Sequence, residues 1–117
     1  MKKIIIADDS FFQRKTLQDI VSDLGHESEA VSSGEELLEK LNDSHDCIFL
    51  DLLMGGMSGT EVLAELQSRG NKIPVVVITA DIQKARKEES LSLGATAFMN
   101  KVVSKEELIS ILDKVFK

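Results

Sequence analysis

A chain of 117 residues, 43% of them hydrophobic, has the size of one domain with a single core and needs no covalent staples. A formal charge of −6 and the absence of Trp and Tyr argue against nucleic acid as a partner, which would ask for a basic footprint and stacking surfaces. One cysteine, Cys47, excludes an internal disulfide, and no apolar run approaches membrane-spanning length or a signal-peptide core, so the expectation is a cytoplasmic protein with no membrane partner.

The run Lys3-Ile4-Ile5-Ile6-Ala7 is β-branched and ends at Asp8-Asp9, which predicts a strand with carboxylates at its C-terminal end. Ser10 and Gln13 form a capping-box pattern. The helix that follows carries Leu17, Ile20, Val21 and Leu24 on one face and stops at Gly25. Glu27 to Val31 reads as a polar edge strand. Ser33 and Glu36 open a second helix, with Leu37, Leu38 and Leu41 apolar.

Cys47-Ile48-Phe49-Leu50 has the unbroken apolar character of a central parallel strand, and it runs into Asp51. A short loop, Leu52 to Met57, precedes a third capping pattern, Ser58 with Glu61, and a helix holding Val62, Leu63 and Leu66 that ends near Gly70. The sole proline, Pro74, opens the strand Val75 to Thr79, where a missing N–H is tolerated. Asp81 can cap a polar helix through Leu93, closed by Gly94. Thr96 to Asn100 reads as a fifth strand ending at Lys101. Ser104 with Glu107 starts the last helix, whose Leu108, Ile111, Leu112 and Val115 share a face.

Five strands alternating with five helices through short connections predict a parallel sheet covered on both faces, with right-handed crossovers. All strand ends then meet on one rim, where open α/β sheets gather their ligand-binding groups. Asp8, Asp9, Asp51, Thr79 and Lys101 converge there. Crowded carboxylates repel unless one is protonated or a cation joins them. With hard oxygen donors and no histidine nearby in sequence, that cation is Mg²⁺, bound by one or two carboxylates and a phosphate. Thr79 offers a hydroxyl and Lys101 a positive charge, which together suit phosphoryl transfer. His26 and His45 read as surface loop residues, and neither is presented on a helix as a phosphorelay histidine would be.

Asp8-Asp9 after the first strand, Asp51-Leu52-Leu53-Met54-Gly55-Gly56-Met57-Ser58-Gly59, Ile78-Thr79-Ala80 and Asn100-Lys101 resemble the response-regulator receiver domain over essentially the whole chain. The resemblance implies a flavodoxin-like (βα)₅ doubly wound sheet with strand order 2-1-3-4-5. It implies that Asp51 accepts a phosphoryl group from a histidine kinase or histidine phosphotransfer protein. Mg²⁺ would be held by Asp9, Asp51 and the backbone carbonyl of Leu53, with Asp8 acting through water. Thr79 and Lys101 would engage the phosphoryl oxygens, and Phe98 matches the family's switch aromatic.

Residues 1–117 are thus expected to be a single receiver domain of stand-alone, chemotaxis-type (CheY-like) design with no output domain. It would not be an enzyme beyond catalysing its own phosphorylation and dephosphorylation, the latter with or without a phosphatase. The phosphorylated face formed by the fourth helix, fifth strand and fifth helix would bind a downstream target. The other readings are a phosphorylation-independent binding module and an intermediate phosphate carrier in a relay. A flavin carrier would want aromatic stacking residues, and a dehalogenase-type phosphatase a second acid where Leu53 stands.

Three positions depart from the family pattern: Gly55 and Val102 replace usual prolines, and Ser58 replaces a common Asp. A cis peptide before a non-proline residue costs about 2.5–4 kcal/mol. The Lys101–Val102 bond is therefore expected to be trans.

Overall fold

The computed structural model describes residues 1–80 and 83–116. Its strands are β1 (Lys3–Ala7), β2 (Glu27–Val31), β3 (Cys47–Leu50), β4 (Val75–Thr79) and β5 (Ala97–Asn100). The helices are α1 (Phe11–Asp23), α2 (Gly34–Lys40), α3 (Gly59–Ser68), α4 (Lys84–Ser92) and α5 (Lys105–Val115). All pairings are parallel and the order is β2-β1-β3-β4-β5, the flavodoxin-like arrangement.

The two-residue period of each strand divides the core between the faces of the sheet. Ile5, Ala7, Ile48, Leu50, Val75 and Val77 point to the side covered by α2 and α3 through Leu37, Val62, Leu63 and Leu66. Ile4, Ile6, Cys47, Phe49, Val76 and Ile78 point the other way, against Leu17 and Val21 of α1 and Leu108 and Leu112 of α5. This double coverage explains why β3 is apolar throughout and β4 is apolar up to its last residue, Thr79. At the edge, β2 keeps one residue, Val31, fully buried.

Each of the four serines singled out as a cap accepts the N–H three residues on. Only at Ser58 does the N3 side chain return the bond to the cap's own N–H, in a reciprocal box. Glu36 instead reaches the Ser32 N–H, and Glu107 accepts the Ser104 hydroxyl. The helix α4 starts after Gln83, which makes no side-chain cap; the expected cap, Asp81, lies outside the described residues. Gly25, Gly70 and Gly94 end their helices with φ of 85°, 72° and 101°, a left-handed conformation that other residues resist.

Expectation and structure part at the histidines. His45 is buried, not a surface loop residue. Its loop folds under the edge strand, so that Nε2 meets Glu29 Oε1 at 2.9 Å while Nδ1 accepts the Asn42 N–H at 3.1 Å. With both nitrogens satisfied, a neutral imidazole can be enclosed. The bond to His45 is also the main cause holding the Glu29 carboxyl below its ordinary range. His26 is half-buried, accepting the Lys2 N–H and resting edge-on against Phe116.

Candidate functional site

At the C-terminal rim, β1 delivers Asp8, β3 delivers Asp51 and β5 delivers Lys101. The β1–β3 register sets Ala7 beside Leu50, so the next residues, Asp8 and Asp51, are neighbours by construction. Lys101 Nζ lies between them, 2.8 Å from Asp8 Oδ2 and 2.9 Å from Asp51 Oδ2. Asp8, Asp51 and Thr79 are buried, whereas Asp9 is exposed at the mouth. Asp8, Asp9 and Asp51 can each offer one oxygen with all three atoms within 4.8 Å of one another. A donor set made only of carboxylate oxygens fits a hard divalent cation.

Local bonds aim these groups. Asp8 Oδ1 accepts the Ser10 N–H, and Asp51 Oδ1 accepts the Leu53 N–H. Arg14 donates to the Asp8 carbonyl at 2.8 Å, tying α1 to the end of β1. The Thr79 carbonyl accepts the Lys101 N–H at 2.8 Å, which fixes the base of the lysine.

Burial pushes the Asp51 carboxyl above its ordinary range; the Lys101 ammonium and the Leu53 N–H pull it back only in part, and the charge of Asp8 adds to the rise. Burial acts on Lys101 in the opposite sense, but its bonds to Asp8 and Asp51 outweigh it and raise the ammonium's pKa. The lysine therefore stays charged. Among the described residues, Lys101 is the one cation paired with any of the carboxylates of Asp8, Asp9 and Asp51.

The Lys101–Val102 peptide is cis, which corrects the expectation of trans. That expectation rested on the cost of a cis peptide before a non-proline residue alone. In the structure, the lysine at this peptide bridges two carboxylates, Asp8 and Asp51. Val102 is exposed, and Leu53 also faces solvent. Phe98 is half-buried and packs against the core on the α2–α3 side.

Two glycines were not singled out by sequence reasoning for the site. A Cβ on Gly59 would run into the Asp51 carbonyl oxygen and the Leu52 Cα, so α3 can close on the strand end only through a glycine. The usable signal was a helix-disfavoured residue directly after a good cap. Gly55 was noted only as a missing proline. Its N–H donates to Asp9 Oδ2 at 3.3 Å.

The model of the response regulator receiver domain matches residues 4–113. The two-component response regulator PhoP of Pseudomonas aeruginosa is 31% identical over 116 residues, covering 98% of this chain and 52% of that protein. The hybrid signal transduction histidine kinase L of Dictyostelium discoideum is 28% identical, matching 98% of this chain but only 7% of its own length. Among solved structures, the Vibrio cholerae chemotaxis protein CheY4 superposes with a TM-score of 0.87 at 29% identity, over 98% of both chains. The chain spans about half the length of the first curated relatives it matches. With the parallel 2-1-3-4-5 sheet and the acidic pocket at its rim, the family match over residues 4–113 makes this chain a member of the response regulator receiver domain family.

Proposed function

We propose that this domain is a phosphorylation-controlled switch in which Asp51 is the phospho-acceptor. The observation that carries this reading is the convergence of Asp8, Asp9 and Asp51 on one pocket with Lys101 clamped between two of them. An oxygen of the Asp51 carboxylate forms the new P–O bond as the P–N bond of a phosphohistidine, protonated on its other ring nitrogen, breaks, leaving an aspartyl phosphate and a neutral imidazole. Lys101 then shifts its contacts toward the phosphoryl oxygens, and the Thr79 hydroxyl supplies a further hydrogen bond.

Asp9, Asp51 and the Leu53 carbonyl would hold Mg²⁺, with Asp8 acting through water. When bound, the ion offsets the repulsion between the carboxylates and the incoming phosphoryl group. The donor is a histidine kinase or a histidine phosphotransfer protein. Redistribution of charge at the pocket draws in Thr79 and moves Phe98 inward, and the α4–β5–α5 face then binds the downstream target. Chemotaxis is one pathway compatible with this reading.

Acetyl phosphate is the direct probe. With Mg²⁺ present it should transfer its phosphoryl group to the protein, releasing acetate. Excess EDTA should stop the labelling. Label acquired at an undiminished rate in EDTA would refute the metal assignment. Exposed Leu53 flanks the approach of a hydrolytic water without being able to orient it, so Leu53→Asn should alter the lifetime of the phosphorylated protein.

A further inference from the structure

The three carboxylates of the pocket are each aimed by one backbone N–H, but not by the same kind of bond. Asp8 accepts from Ser10 and Asp51 from Leu53, both two residues on, so those bonds arise from the local course of the chain. Asp9 accepts from Gly55, 46 residues away in the β3–α3 loop. Among the described residues this is the one hydrogen bond to the Asp9 side chain. Asp8 and Asp51 are further held by Lys101, whereas Asp9 is exposed and has no such cation among the described residues.

Nothing steric requires glycine at position 55. A Cβ built there meets no atom within 4 Å, and its φ is not in the left-handed region, unlike that of Gly56 at 74°. What the geometry uses at position 55 is the N–H. Alanine would keep it, and proline would delete it. An ionised carboxylate has about four acceptor sites, so Asp9 can take this N–H and still present oxygen to a cation.

We propose that Gly55 is a positioning residue for the cation site, its N–H turning the Asp9 carboxylate toward Asp8 and Asp51. This rests on the reading of the pocket as a Mg²⁺ site. The bond is exposed and long, at the weak end of charge-assisted hydrogen bonds, so its loss should weaken the ion's binding by about two- to threefold.

Titration calorimetry with MgCl₂ alone, no phosphodonor present, tests the inference on wild type, Gly55→Ala and Gly55→Pro. Gly55→Ala should match wild type, and Gly55→Pro should bind about two- to threefold more weakly. Equal affinity in all three, or equal loss in both variants, would overturn the role of the N–H while leaving the metal reading intact. No heat of binding in wild type would overturn the metal reading itself.

A second measurement does not depend on the proline variant folding. In ¹⁵N-resolved NMR spectra recorded in EDTA, Asp9→Ala should move the Gly55 amide proton upfield and leave that of Leu53 in place. A Gly55 amide unmoved by Asp9→Ala would overturn the inference.

Discussion

The two ends of β3 hold buried titratable groups in opposite electrostatic situations. Before the strand, His45 is enclosed with one partner for each ring nitrogen, and Cys47 begins the strand as a thiol pushed up to about 12 by burial. After the strand, Asp51 is equally enclosed, but its neighbourhood has three carboxylates and a single lysine. Burial by itself therefore does not mark function. At the first end both ring nitrogens of His45 have partners within the protein, whereas the second gathers carboxylates in excess of its lysine, a surplus of negative charge that a cation would offset.

The sharpest way to break this contrast is Asp51→Asn, which keeps the side chain's shape and removes the nucleophile. Labelling by acetyl phosphate should be abolished. Retention of wild-type labelling would place the acceptor elsewhere.

Removing the lysine should cost the most stability. In Lys101→Ala, Asp8 and Asp51 face each other in a buried site with no positive partner. Breaking such a pair should lower the unfolding free energy in EDTA by about 3 kcal/mol, as read from urea denaturation. Mg²⁺ should then restore part of the loss, because a cation held by Asp9 and Asp51 would supply positive charge that the lysine no longer provides. Unchanged stability in EDTA would mean that the bridge contributes nothing.

At the other end, His45→Ala should separate stability from chemistry. It leaves the Asn42 N–H without its acceptor and opens the space under β2, at a cost of about 2 kcal/mol. Phosphoryl labelling below the unfolding temperature should stay at the wild-type rate. A large drop in labelling would mean that the two ends of the strand are coupled.

The difference between these ends also explains what could be read from the sequence. The rim was legible because strand ends in a parallel sheet meet by topology, so Asp8, Asp51 and Lys101 needed only strand boundaries to be brought together. Helix faces followed from apolar spacing and helix ends from the glycines that accept a left-handed conformation, both of them local signals. His45 was misread because its burial depends on Glu29, a residue of another strand, and on how the six-residue loop between α2 and β3 folds back. The Lys101–Val102 peptide was misjudged because the two ion pairs of Lys101 are contacts between distant parts of the chain. The bond from Gly55 to Asp9 is of the same kind, spanning 46 residues with no local pattern to announce it.

The smallest expected effect lies at Cys47, and it tests whether burial without a counter-charge acts as the comparison requires. The thiol's ordinary value of 9.0 belongs to the unfolded chain, and in the folded protein it rises to about 12, chiefly through burial. Between those values the unfolded chain releases the proton and the folded protein keeps it. The unfolded state then binds fewer protons, so this group makes stability fall as pH rises above 9.0. From about pH 8 to about pH 10 the loss should be about 1 kcal/mol. Cys47→Ala removes the titrating group, at a packing cost that does not depend on pH. Its deficit relative to wild type should therefore narrow by about 1 kcal/mol across that interval, measured by urea denaturation at each pH. A deficit that stays constant would show that the thiol ionises as readily inside the fold as outside it. The core at that end of β3 would then be more open to water than its packing shows.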